Sequence, residues 1–552
     1  MNQMTAPVSA QQIDPITVEV VGSALSTIVE EMGNMIIRSA YSTNIKERQD
    51  CSTVIFDING RTLAQQERIP IHLGSLLGIG DYVMKHVDIA SVRPGDVFIG
   101  NDAHTGGGTH LNDIVLLEPV FYDDKLVAWV TNLAHHSDFV DRAHRHIFQE
   151  GLRIPPIRLY REGVLQQDVM DLILLNCQVP HERVGDFSAQ MAANHLGVKR
   201  YQALCEKYGP EVLRLAGQHL LDYSERKTRA GIAQIPNGRY ERKCRFDTNL
   251  ADDILDLSVV IDIKDDGIFI DLANNPMQMP APINMVMTAT LATVYFAVKT
   301  LVAPDVPANA GFHRAIHVSA PEGSVFNAVA PAAVYSRTDI AQRLVDLIFA
   351  ALSEAVPDKI CAACTGGGLV TLSGQHPRTG RFYVYNEMSG GGMGARQGQD
   401  GLDAVQVHTT NTANIPIEAL EFEHPIMVEA YELVQDSGGP GQWRGGMTMR
   451  RRIRVVDHDA TAHVGGTNAI LAPWGLFGGE SGTVTTVERG EGVEPFHKRV
   501  GRVPSGKTIA MVAASGGGFG DPKLRDRELV RKDLREGRIS EAAAREVYGF
   551  EA

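Results

Sequence analysis

Two short runs in the first quarter of the chain hold side chains of the types that bind a divalent metal. His110 and Asp113 stand in GTHLND, and His135-His136 stand in NLAHHSDF. Asp50, further upstream, offers one more carboxylate. Imidazole and carboxylate donors without thiolate suit zinc, manganese or iron, in an open site that does chemistry rather than a closed structural one. The stretch around them, Gly100 to Phe139, also carries Asp102, His104 and Asp138, with His144 just beyond. Loop histidines that merely cap strands are the plain alternative. Against it stands the grouping of two histidines with two aspartates at strand ends.

The elements that must position these residues can be read from the pattern. Ile114 to Phe121 and Leu126 to Leu133 are apolar runs of strand length, joined by the turn signal Asp123-Asp124. In an antiparallel hairpin the start of the first strand lies beside the end of the second, so His110 and Asp113 can meet His135 and His136. Upstream, Asp14-Pro15 caps a helix that the apolar spacing carries to about Ser39. A polar segment, Ser42 to Cys51, leads into a hairpin, Thr53 to Asp57 and Arg61 to Ala64, turned at Asn59-Gly60. A second helix follows His72, in IPIHLGS, and runs to about Lys85.

Downstream, residues 167 to 229 read as helical and the pattern turns strand-like from about 236. Helices are expected over Met285 to Val302 and Thr338 to Ala350. Strands and glycine-rich loops follow, with a short charged helix pair at the end. The expected architecture is α+β and multi-domain, with a metal-bearing helical region over 1–235, a middle α/β domain over 236–360 and a Gly-rich, strand-rich domain over 361–552. Glycine numbers 54 and is clustered, for example at 390 to 394, 438 to 446 and 516 to 520. Such clusters make tight turns or bring backbone close to a ligand, a metal or another chain.

Bulk properties remove several function classes. A net charge of -14 argues against nucleic acid, which needs clustered Lys and Arg. The polar N-terminus lacks a signal core, no apolar run approaches a membrane span, and six cysteines make no disulfide framework. A cytoplasmic protein is expected. Gly501 to Thr508 fits the P-loop pattern literally, but the apolar run after it reads as a strand, not the phosphate-binding helix the motif requires. Cys361-Ala-Ala-Cys364 has no second CxxC or His pair placed for zinc, and reads as two small core residues beside a glycine turn. No GxSxG elbow is present.

AYSTNIKERQDCSTVIFD, IPIHLGS, GNDAHTGGGTHLNDIVLLEPVF, EGLRIPPIRLY, NTANIPIEALE, DSGGPGQWRGG and SGGGFGDP, in this order, resemble the hydantoinase B/5-oxoprolinase family from about residue 14 to 549. The resemblance implies a complex with a hydantoinase A-like subunit, heterotetrameric or larger. That subunit uses ATP and Mg to phosphorylate the substrate carbonyl. It implies metal ligands at Asp50, His110, Asp113 and His135, with His136 or Asp102 as general base or ligand-orienting group. The family's GTHLPD has Asn112 in place of proline here. The segment after His136, Phe139 to His146, is shorter than in many members and is where substrate choice is expected to be set. The expected activity is opening of a phosphorylated cyclic amide (hydantoin, lactam or 5-oxoproline type). ATP-dependent ketone carboxylation is the alternative, and a non-catalytic scaffold for the ATP-binding partner the third reading.

Overall fold

The computed structural model describes residues 13–66, 68–136, 145–248, 250–251, 253–496 and 499–551. Its first layer is a sheet of seven strands: β1 (Cys51–Phe56), β2 (Thr62–Gln65), β3 (Val97–Gly100), β4 (Asp113–Tyr122), β5 (Lys125–His135), β6 (Ile157–Arg161) and β7 (Val164–Leu165). Their order is β2-β1-β5-β4-β3-β6-β7, and every neighbouring pair is antiparallel. The β4–β5 hairpin turns at Asp123 and Asp124, both at positive φ (48° and 58°), as a tight hairpin requires.

Helices cover both faces. On one lie α1 (Pro15–Ser39), reached through the Asp14 cap on Thr17 N, and, further along the chain, the helix Pro180–Tyr208; on the other lies the helix His72–His86. Strand alternation decides which residue meets which helix. Ile55, Ala128, Val130 and Ala134 pack with α1 residues such as Leu25 and Met32. Val54, Phe56, Val115, Leu117, Trp129 and Leu133 pack with Leu76, Ile79 and Val83 of the His72–His86 helix. By length and composition α1 is long and apolar enough to cross a membrane, which corrects the sequence expectation that no run approached that length. Here its buried residues, Val21 to Ile36, belong to the sheet's core.

One buried acid in this sheet has a pH signature. Glu118 on β4 is 4% exposed, its Oε2 has no hydrogen-bond partner, and burial pushes its pKa up to about 8. A folded-state pKa above the unfolded one means the native state holds a proton that the unfolded chain has released. The group's contribution is intact below the unfolded value and is lost as the pH rises through the folded one. Glu118→Gln is therefore expected to flatten a decline of up to a few kcal/mol between about pH 5 and pH 8. Urea midpoints of both proteins at the two pH values check it; parallel pH profiles would show that Glu118 ionises freely.

Beyond this sheet, the described residues form three four-stranded sheets. Gly238–Phe246, Leu255–Lys264, Gly267–Asp271 and Ile316–Ser319 form one, packed with the helices Met287–Val302 and Arg337–Ala351. Strands between Gly368 and Val512 form the other two, whose apolar faces share one core (Leu372, Tyr385, Ile453, Met511). Thr508–Val512 is the strand that the P-loop test anticipated. The glycine clusters approach backbone of their own chain. A Cβ at Gly392 would run into the Gly446 carbonyl, at Gly516 into Met393 O, and at Gly518 into Pro440 O. Hydrogen bonds from Gly516 N to Gly446 O (3.0 Å), Gly446 N to Met393 O (2.8 Å) and Gly517 N to Ala363 O (2.9 Å) tie the web together.

Candidate metal centre

The sheet brings three of the expected residues to one end and one face. Cys51 pairs with Ala134 and Asp113 with His135, and His135 N donates to Asp50 O (3.0 Å). Asp50, Asp113 and His135 share the parity of Val54, Val115 and Leu133, so alternation sends all three toward the His72–His86 helix. His110 reaches the same point from the loop before β4. The ligand atoms of His110, Asp113 and His135 lie within 4.8 Å of one another. His110 Nε2 is 2.9 Å from Asp113 Oδ1, and the two imidazole centroids are 5.0 Å apart. Asp50 completes the group through His72, whose Nε2 lies 3.4 Å from Asp50 Oδ1 and 3.9 Å from Asp113 Oδ1.

Two of the residues here were not among the expected site residues. His72 opens its helix and is held by Ser52 Oγ at Nδ1 (2.9 Å). Its signal was present in the IPIHLGS motif, but its place depends on how that helix seats on the sheet. Arg337 comes from the start of the helix Arg337–Ala351; its Nη2 donates to Asp113 Oδ2 (2.8 Å) and its Nε to Thr109 Oγ1 (2.7 Å). No local pattern announces an arginine so distant in sequence. Glu150 fixes the turn before it, accepting from Val334 N (2.7 Å) and Tyr335 N (2.8 Å).

His136 and Asp102 do not line the cavity. His136 follows His135 and so points to the opposite face, where Nε2 meets Gln190 Oε1 (3.0 Å) and the ring packs on Phe187. Asp102 is engaged by Arg153 Nη2 (2.7 Å) and Thr105 Oγ1 (3.0 Å). Asp138, His144 and the loop from Phe139 lie outside the described residues as far as 144. His146, at the loop's far end, bridges to Ala332.

Charge states suit a cation. Burial lowers the His135 pKa to about 3, against the pull of Asp50, and lowers that of His110, with Arg337 adding to the effect. Burial alone would raise the carboxyls. His135, the His72 hydrogen bond and Arg48 instead hold Asp50 at about 2, while His110 and Arg337 hold Asp113 well below the usual range. Neutral imidazoles and ionised carboxylates are the forms that bind metal. The His110 ring makes the point locally. The Tyr335 carbonyl, 3.3 Å from Nδ1, and Asp113 Oδ1, 2.9 Å from Nε2, both accept, and a neutral ring has one proton to give. A cation at Nε2 satisfies both. The residues present fit a divalent metal. Asn44, its Oδ1 fixed by Arg48 Nη1 (2.6 Å), donates its amide to the His135 main-chain carbonyl (2.7 Å) and so fixes the backbone that carries the ring.

Asp50, His72, His110, His135 and Arg337 line a cavity of about 60 Å³, with Asp113 buried behind His110. Beside it, sharing Ile69 and Thr410 in the wall, is a chamber of about 550 Å³. Its lining is mainly apolar (Leu73, Phe296, Phe349 and Val407 among others), with Arg68 and Lys359 also contributing.

The hydantoinase B/oxoprolinase family pattern matches residues 14–522. An uncharacterized protein of Methanocaldococcus jannaschii is 36% identical over 97% of this chain and 96% of its own length. The crystal structure of ATP-dependent caprolactamase from Pseudomonas jessenii superposes with a TM-score of 0.87 at 27% identity, covering 98% of this chain and 96% of that one. Nucleotide-free acetone carboxylase superposes with a TM-score of 0.88 at 18% identity, over 97% and 79%, a likeness of fold.

Proposed function

The chain belongs to the hydantoinase B/oxoprolinase family, and from that premise we propose that it is the metal-bearing subunit of an ATP-dependent cyclic-amide hydrolase. A separate A-type subunit would bind ATP and activate the ring carbonyl by phosphorylation. The observation that carries the reading is the thiol-free cluster of His110, Asp113 and His135, joined to Asp50 through His72, beside a mainly apolar chamber with room for a cyclic amide. A divalent cation held by these four residues supplies Lewis acidity and makes water acidic enough to ionise near neutral pH.

The chain's own residues do the rest. Arg337, Thr109 and Ser75 pin Asp113 Oδ2 and leave Oδ1 toward the histidines. Asn44 and the Tyr335 carbonyl orient His135 and His110. His72, facing both carboxylates, is positioned to carry a proton between the cluster and substrate, a role the sequence reading gave to His136 or Asp102. The chamber's apolar walls give the ring a surface to pack on.

The test is to co-express the chain with its A-type subunit and follow ATP turnover against hydantoins, 5-oxoproline, caprolactam and ketones, with and without bicarbonate. Bicarbonate-independent ring opening is the expected result. Turnover of a ketone that requires bicarbonate would instead establish the second reading, a ketone carboxylase, which the fold shared with acetone carboxylase favours.

A further inference from the structure

The CxxC motif set aside in the sequence has two partners that only the fold reveals. Cys361 and Cys364 are buried, and their sulfurs are 3.8 Å apart. Asp346, from the helix Arg337–Ala351, and His408, from the loop 406–412, close on Cys364, and Cys361 joins the group through Cys364. The ligand atoms of Asp346, Cys364 and His408 lie within 4.8 Å of one another, and His408 Nε2 is 2.9 Å from Asp346 Oδ1. We propose that Cys361, Cys364, His408 and Asp346 form a second metal site, a closed one selecting zinc or a similarly thiophilic divalent cation.

Two of the edges agree with that chemistry, and Cys361 completes the set by turning in toward His408 and Asp346. Two sulfurs at about 2.3 Å from a tetrahedral cation stand about 3.8 Å apart, which is the observed spacing. The His408–Asp346 pair has to open by only about half an ångström to reach the corresponding N···O edge. The charge also closes. Two thiolates and one carboxylate around a divalent cation leave one negative charge, and Arg343, with Nη1 2.9 Å from Asp346 Oδ2, offsets it.

The surrounding groups are those that support a thiolate site. Gly394 N donates to Cys364 Sγ (3.2 Å), and Cys364 N donates to Asp346 Oδ1 (3.0 Å). His408 sits at φ 48°, a backbone region costly for a non-glycine residue and frequent where a side chain is held for function. An entry path exists, because Cys361 and His408 both line the large chamber. The metal would be structural, tying a helix, the CxxC turn and the 406–412 loop together, and in ligand class it differs from the N/O site.

Growth of the full-length protein with Co(II) in place of zinc tests this. Wild type and His110→Ala should both show thiolate-to-cobalt charge-transfer absorption in the near ultraviolet. Cys361→Ser and Cys364→Ser should lose it, and zinc-grown samples of each should lose one equivalent of metal by elemental analysis. Persistence of the band in His110→Ala separates this site from the first, so the functional proposal can fail while this one stands. Cys364 lies in the core, so Cys361→Ser on the chamber wall is the deciding variant. Titration of wild type with a mercurial should release one zinc as the buried thiols react. Absence of the band from wild type, its survival in Cys361→Ser, or mercurial reaction without zinc release would each overturn the proposal.

Discussion

Replacing His110 with alanine is expected to abolish ring opening while the A-type subunit's ATP hydrolysis survives in part. His110 contributes the Nε2 that faces Asp113 at 2.9 Å, and its Nδ1 is already committed to Tyr335 O. Nothing else described on that side of the cavity replaces it. Removal of a group that merely orients a ligand costs roughly 10–100-fold in metal affinity or activity, so loss of the ligand should exceed that. Asn44→Ala, which frees His135 without removing it, should fall inside that range. His110 is a better probe than Asp113, because removing Asp113 leaves the buried Arg337 guanidinium unpaired, a cost of about 3–5 kcal/mol. Steady-state kinetics and metal content of the two variants in the reconstituted complex decide the matter. Full ring opening by a metal-depleted His110→Ala complex would remove this site from the chemistry.

The second large effect concerns the fold. Gly516→Ala is expected to cost about 3 kcal/mol or more, since the new methyl would collide with the Met393 carbonyl and the rigid web around it cannot retreat. That is a large part of the roughly 5–15 kcal/mol that holds a typical domain together. Gly238→Ala is the control. Its nearest neighbours, the Tyr240 hydroxyl and ring edge, begin at an ordinary 3.5 Å, and a change within about 0.5 kcal/mol is expected. Denaturant midpoints of the two variants give the comparison, and equal midpoints would mean that the web yields.

How much of this was legible follows from the range over which each signal acts. The hairpin that pairs Asp113 with His135 was readable because a period of two and an Asp-Asp turn are local. The same period, followed one residue further, separates His135 from His136, and that consequence of alternation was available in the sequence. His72 was visible as a motif but not as a neighbour of Asp50. Arg337, Asp346 and His408 were beyond reach, since a lone charged residue on a distant element carries no spacing that marks its destination. The α+β class and the strand after Lys507 came from local pattern in the same way as the hairpin.

The glycine web also bears on how relatives of this chain should be compared. Residues such as Gly392, Gly446, Gly516 and Gly518 are glycine because a neighbouring carbonyl occupies the space a side chain would need. Agreement between two proteins along SGGGFGDP or DSGGPGQWRGG therefore reports a shared backbone weave. It is silent on whether a lactam is opened or a ketone carboxylated. On the function proposed above, discrimination between those chemistries is expected at the chamber wall, at positions such as Leu73, Phe296 and Val407, where a change of side chain alters the space offered to the substrate and leaves the weave untouched.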